Sequence, residues 1–148
     1  MKKIISALIL MLFSVSALYA EKKAPEYIAD LNAAKDEKVI IEAADWLAKK
    51  EEKAGVPALI KLIEDERVDV RLHVVMALGY IGQEEAVEAL NKRLLNDESA
   101  EVRYAAVLAT VRIGSKKSID AWKEAKEKES DPFIKDFLKK MEDKVKGK

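Results

Sequence analysis

Cysteine is absent from the chain of 148 residues. That excludes a disulfide framework, a thiolate metal site and an acylated anchor on a cysteine behind a leader. Glycine and proline are scarce, at five and three, so the turn chemistry of a many-stranded fold is missing and long helices with short connections are expected. One histidine, His73, leaves little material for a metal site or for the base of a serine nucleophile, and no Gly-x-Ser-x-Gly elbow occurs. An excess of one charge is missing too. The 27 basic and 27 acidic side chains alternate at close spacing, as on a solvated helical surface, whereas a nucleic-acid binder gathers its cations on one face. No nucleic-acid partner is expected.

The longest apolar run is Ile4 to Phe13, preceded by Lys2 and Lys3 and followed by small residues up to Ala17 or Ala20 and the polar Glu21-Lys22-Lys23. It is too short for a span of about 20 residues and has the three-part order of a secretory signal peptide. Residues 1–20 are therefore expected to direct export, with cleavage after Ala17 or Ala20 and no stable membrane insertion afterwards. The expected location is periplasmic or secreted. Residues 21–148 keep 25 basic and 27 acidic groups, form one domain, and are long enough to bury about two thirds of the unfolded surface.

Within that domain Val70 to Gly82, VRLHVVMALGYIG, returns thirty-two residues later as Val102 to Gly114, VRYAAVLATVRIG. Val70/Val102, Arg71/Arg103, Val75/Val107, Ala77/Ala109, Ile81/Ile113 and Gly82/Gly114 are identical pairs. Self-similarity at this period predicts stacked helix pairs. Apolar groups at Val56, Leu59, Ile60, Leu62 and Ile63, and again at Ala86, Val87, Leu90, Leu94 and Leu95, supply the first helix of each central pair. Ser99 is the expected N-cap of the following helix. A fourth pair runs from Ser118 through Trp122, breaks at Ser130-Asp131-Pro132, and resumes with Phe133, Ile134, Phe137 and Leu138. The first, least regular pair carries Tyr27, Ile28 and Leu31, then Val39, Ala43, Trp46 and Leu47. The repeats thus span about 25–50, 55–82, 86–114 and 118–146 of the domain 21–148.

The two central units resemble HEAT repeats, in particular the short bacterial type related to phycobilin-lyase HEAT-like proteins. The second helix of that family reads Val-Arg-x-Ala-Ala-x-x-Ala-Leu-Gly-x-Ile-Gly, with an Asp six residues before the Arg. Asp65 with Arg71, and Asp97 with Arg103, keep that spacing. The resemblance implies an all-α fold, an α-solenoid (right-handed superhelix) of about four HEAT-like helix pairs. It also implies a structural ladder of these four charged residues between neighbouring repeats. Ala34 and Ile40 stand at the equivalent places in the first repeat, and Lys135 replaces the last Arg.

Weighed one by one, the candidates for chemistry are thin. His73 with Asp69 would offer two ligands on one helical face, where a catalytic zinc needs about three. Metal-binding members of the family carry His-Glu pairs at this point, and here Val74 follows His73. No metal, cofactor or catalytic residue is expected, and the chain is expected not to be an enzyme. Gly79 and Gly82 are expected to end a helix. Trp46 and Trp122 occupy slots held by small or aliphatic residues in the central repeats and are expected in the core.

The positions the family pattern leaves free recur every four residues on the second helix, facing the concave groove. They carry Leu72, Met76 and Tyr80 in the second repeat and Tyr104, Leu108 and Arg112 in the third. Spacing of four sets each trio on one helical face, so the six are expected to form one patch that binds a partner, rimmed by Ile41, Asp45, Lys49, Asp136 and Lys140. A bland alternative buries Leu72, Met76 and Leu108 under neighbouring helices. The expected function is an exported, non-catalytic scaffold that binds a protein partner in the bacterial cell envelope through its concave face. The alternative is small-molecule binding or a lyase-like helper role.

Overall fold

The structure, a computed structural model, describes residues 22–33 and 36–147. The signal-peptide reading of residues 1–20, and Ala34, lie outside them. Eight α-helices follow one another among the described residues, with no strand: α1 (Ala24–Ala33), α2 (Glu37–Lys49), α3 (Val56–Leu62), α4 (Val68–Ile81), α5 (Val87–Asn96), α6 (Ala100–Ile113), α7 (Ile119–Lys128) and α8 (Pro132–Lys146). Short 3-10 turns at Lys53–Gly55, Glu84–Ala86 and Lys116–Ser118 lead into α3, α5 and α7. Consecutive helices pair as α1/α2, α3/α4, α5/α6 and α7/α8, and the pairs stack with α2, α4 and α6 side by side in one layer. The result is an all-α solenoid.

Side-chain periodicity reflects on how many sides each helix is covered. In α2 the buried residues Ile40, Ala43, Ala44 and Leu47 follow the spacing of a single stripe, as do Val87, Leu90 and Leu94 in α5. The helices α4 and α6 are covered on more sides. Val70, Val74, Val75, Ala77, Leu78 and Ile81 are all buried, because α4 meets α2, α3 and α6 at once. Each of these central helices ends on a glycine in the left-handed region, Gly82 at φ 75° and Gly114 at φ 72°, whose N–H donates to the carbonyl of Leu78 or Thr110.

Gly79 does something other than end a helix. It lies inside α4 where that helix crosses α6, and a Cβ there would sit 2.6 Å from Ala109 Cβ and 2.7 Å from Ala109 Cα. The missing side chain lets the two backbones approach. Nearer the C-terminus α8 stands further from α6 than α6 does from α4. Rings fill that gap: Tyr104 meets Phe133 and Phe137 edge-on, with centroids 5.2 and 5.7 Å apart. Trp122 is in the core as expected, its indole N–H donating to Thr110 Oγ1 at 3.0 Å. Trp46 is only half-buried and stacks on Tyr27 at 4.2 Å. Among the described residues no helix precedes α1 to cover the ring.

Candidate functional site

The charged ladder sets the register of the stack. Asp97 stands in the turn between α5 and α6, and its Oδ1 accepts the Ser99 N–H at 3.0 Å. Ser99 is at the N-cap position, but its own side chain makes no capping bond; the Asp two residues earlier does the local work. Glu129 repeats this in the next turn, accepting the Asp131 N–H at 2.8 Å. Each acid then receives an arginine from the preceding repeat. Arg71 donates to Asp97 through Nε at 2.9 Å and Nη2 at 3.1 Å, and Arg103 to Glu129 through Nε and Nη2, both at 2.8 Å. The remaining Nη1 of each arginine binds two carbonyls of its own turn, those of Asp65 and Glu66 for Arg71 and of Asp97 and Glu98 for Arg103. The guanidinium therefore fastens its own turn and the next one together.

Two details differ from the expected ladder. The carboxylate of Asp65 pairs with Arg67 at 2.7 Å rather than with an arginine of the first repeat, because Ile40 stands at that place and is fully buried. Glu129, which the search for aspartates passes over, is the acid of the second rung. Its side chain is almost wholly buried, and the hydrogen bonds from Arg103 hold its carboxyl below the usual carboxylate range against the opposing effect of burial.

Anchored this way, α4 and α6 leave a groove of about 480 Å³ between them. Leu72, Met76 and Tyr80 from α4 and Tyr104, Leu108 and Arg112 from α6 all line it, with Gly79, Ala105 and Ala109 at its floor. All six residues singled out from the repeat spacing lie together. The large side chains are not packed away: Met76, Tyr80 and Leu108 are 41, 50 and 42% exposed, while Leu72 and Tyr104 are half-buried at the edge of the core. The guanidinium of Arg112 lies over the Tyr80 ring at 4.6 Å. Arg112 is the single cation of the lining and Glu101 the single anion, and they sit at opposite ends of α6. Phe133, exposed beside Tyr104, continues the apolar surface towards α8.

His73 faces Asp45 of α2, not Asp69, with Nδ1 and Oδ1 2.7 Å apart. Among the described residues no three His, Cys, Asp or Glu side chains gather as metal ligands, and no helix is long and apolar enough to cross a membrane.

The family model for HEAT repeats matches residues 25–109 and again 56–137, and the chain belongs to that family. Among solved structures it is similar to the complex of CpcE and CpcF of phycocyanin lyase from Nostoc sp. PCC7120, with 30% sequence identity and a TM-score of 0.64. The match covers 69% of this chain and 41% of that one, so the chain spans less than half the length of the similar structure. No curated protein matches. The chain is thus a HEAT-repeat scaffold related to phycobilin lyase subunits. This overturns the expectation that it is no enzyme, since the similar structure is that of a lyase. A lone histidine and a missing nucleophile elbow argue against a serine nucleophile with a histidine base and bear on no other chemistry.

Proposed function

We propose that the concave groove between α4 and α6 is a docking surface for a protein partner, and that the chain acts as a binding subunit in the bacterial cell envelope. The observation that carries the reading is the exposure of Met76, Tyr80 and Leu108 along two helices whose other faces are buried. An apolar patch bordered by Asp45 and Lys49 beside Met76 and Tyr80 has the make-up of an interface core, with the Tyr and Arg that interfaces favour. The similar structure is a complex of CpcE with CpcF, which supports a protein as the partner. Export follows from the signal-like residues 1–20. A photo-crosslinking residue at Leu108 should yield a discrete adduct in native cells, and one at Glu88 on α5, away from the groove, should not. Adducts at neither position, or equally at both, would remove the groove from this role.

A second reading is favoured by the size of the groove. Its volume of about 480 Å³ lies within the roughly 300–1,000 Å³ of small-ligand sites, and its lining is apolar but for the two charged ends. In this reading the chain holds a small molecule, in keeping with its relation to lyase subunits.

A further inference from the structure

The chain has five arginines, and four of them are spoken for by carboxylates. Arg67 pairs with Asp65, Arg71 with Asp97, Arg93 with Asp97 and Glu64, and Arg103 with Glu129. Arg112 has no carboxylate partner among the described residues. Its guanidinium carbon stands over the Tyr80 ring, 4.6 Å from the centroid, at the mouth of the apolar groove. A guanidinium held against a ring on one side and exposed on the other keeps N–H groups with which to bind a carboxylate through two parallel bonds. From Arg112 the lining runs over Leu108, Met76, Tyr104 and Leu72, all carbon-rich surface, before the next charge at Glu101.

We propose that this groove binds a medium-chain fatty acid, with its carboxylate on Arg112 and its alkyl chain along the α4/α6 seam. The inference rests on the small-ligand reading of the groove and names the class of ligand. Arg112 and Glu101 are eleven residues apart on one helix, which sets them about 16 Å apart along its axis, the extended length of a carboxylate with about ten to twelve carbons. Charge fixes the direction, because the opposite orientation would bring the carboxylate against Glu101. Gly79 and Ala109 supply a floor without side chains that project into the path of the chain.

The test titrates the protein with sodium laurate and, in parallel, with dodecyltrimethylammonium, which has the same alkyl length and the opposite head. Binding is read from the methyl resonances of Leu72, Met76 and Leu108. Laurate should shift these signals saturably. Dodecyltrimethylammonium should bind more weakly by about tenfold or more, and Arg112→Glu should weaken laurate by about ten- to a hundredfold and reverse the preference. Arg112 is exposed and outside the ladder, so this variant should melt like the parent; Arg112→Gln serves if it does not, with the laurate preference lost rather than reversed. If both amphiphiles shift the methyls alike and neither variant alters laurate binding, the fatty-acid assignment is wrong while the groove remains a small-ligand site. If neither amphiphile moves them, the inference and the small-ligand reading fall together.

Discussion

Replacing Arg71 with methionine removes the head of the ladder while keeping an apolar stem of similar length. Five hydrogen bonds are lost, two to Asp97, one to Glu98 and two to the carbonyls of Asp65 and Glu66. The bond to Glu98 contributes little, because that side chain is 78% exposed. The cost lies with Asp97, whose side chain is fully buried and would keep only the Ser99 N–H and Arg93 at 3.4 Å. Removing one partner of a buried pair typically costs about 3–5 kcal/mol. Arg93 can move closer and offset part of this, so Arg71→Met should destabilise by about 3 kcal/mol in urea unfolding followed by circular dichroism. Adding Asp97→Leu removes the stranded carboxylate. The double variant should then be less destabilised than the sum of the singles by about 2 kcal/mol, although the cap on Ser99 is gone. A single variant within about 0.5 kcal/mol of the parent, or strictly additive singles, would refute the claim that the ladder holds the repeats in register.

Gly79→Ala sets a gain in helix propensity of about 1 kcal/mol against a contact of 2.6 Å with Ala109 on a rigid neighbouring helix. Overpacking costs about 1–3 kcal/mol, so thermal melts should show a net loss; a stabilised variant would mean that α4 and α6 are not held this close. Glu129→Gln tests the second rung by pH. The folded carboxyl titrates below its unfolded value, so its contribution is complete above the unfolded pKa and is lost as pH falls through the folded one. The parent should therefore lose stability more steeply than Glu129→Gln below about pH 4.3, and parallel urea midpoints down to about pH 3 would contradict the assignment. Trp122→Phe should cost about 1 kcal/mol from the lost bond to Thr110 alone, beyond its smaller ring, and Thr110→Val should remove most of the difference between Trp and Phe.

The stack was legible because the chain states it twice: a shift of thirty-two residues overlays two helices and their closing glycines, and the same spacing of four that made Leu72, Met76 and Tyr80 neighbours did so for Tyr104, Leu108 and Arg112. Glu129 was within reach by the same arithmetic, since thirty-two residues after Asp97 lands on it. It was missed by asking for an aspartate where either carboxylate can accept the arginine fork. Contacts between repeats were harder. Nothing in the local sequence shows that His73 meets Asp45 of the neighbouring helix, or that Gly79 lies under Ala109 rather than at a turn. Such contacts depend on how closely the pairs stack. Trp46 holds the slot of Ala77, but the ring is too large for that slot's full burial and stacks half-exposed on Tyr27 instead. The likeness to lyase-related HEAT proteins was legible in the Val-Arg and Asp spacing of the central repeats, whereas the expectation of no enzyme rested on seeking a nucleophile or a metal set, which a lyase does not require.

The central claim is that Met76 and Leu108 serve binding and not the core, and the variant Met76→Ser/Leu108→Ser tests it most directly when its melt and its crosslinking are measured on the same preparation. Both side chains stand about two fifths exposed, so the melt should fall by no more than about 1 kcal/mol in stability, while the adduct formed through a crosslinker at Tyr104 should be lost. Loss of several kcal/mol, the cost of a buried large-to-small change, or an unchanged adduct at unchanged stability, would contradict it.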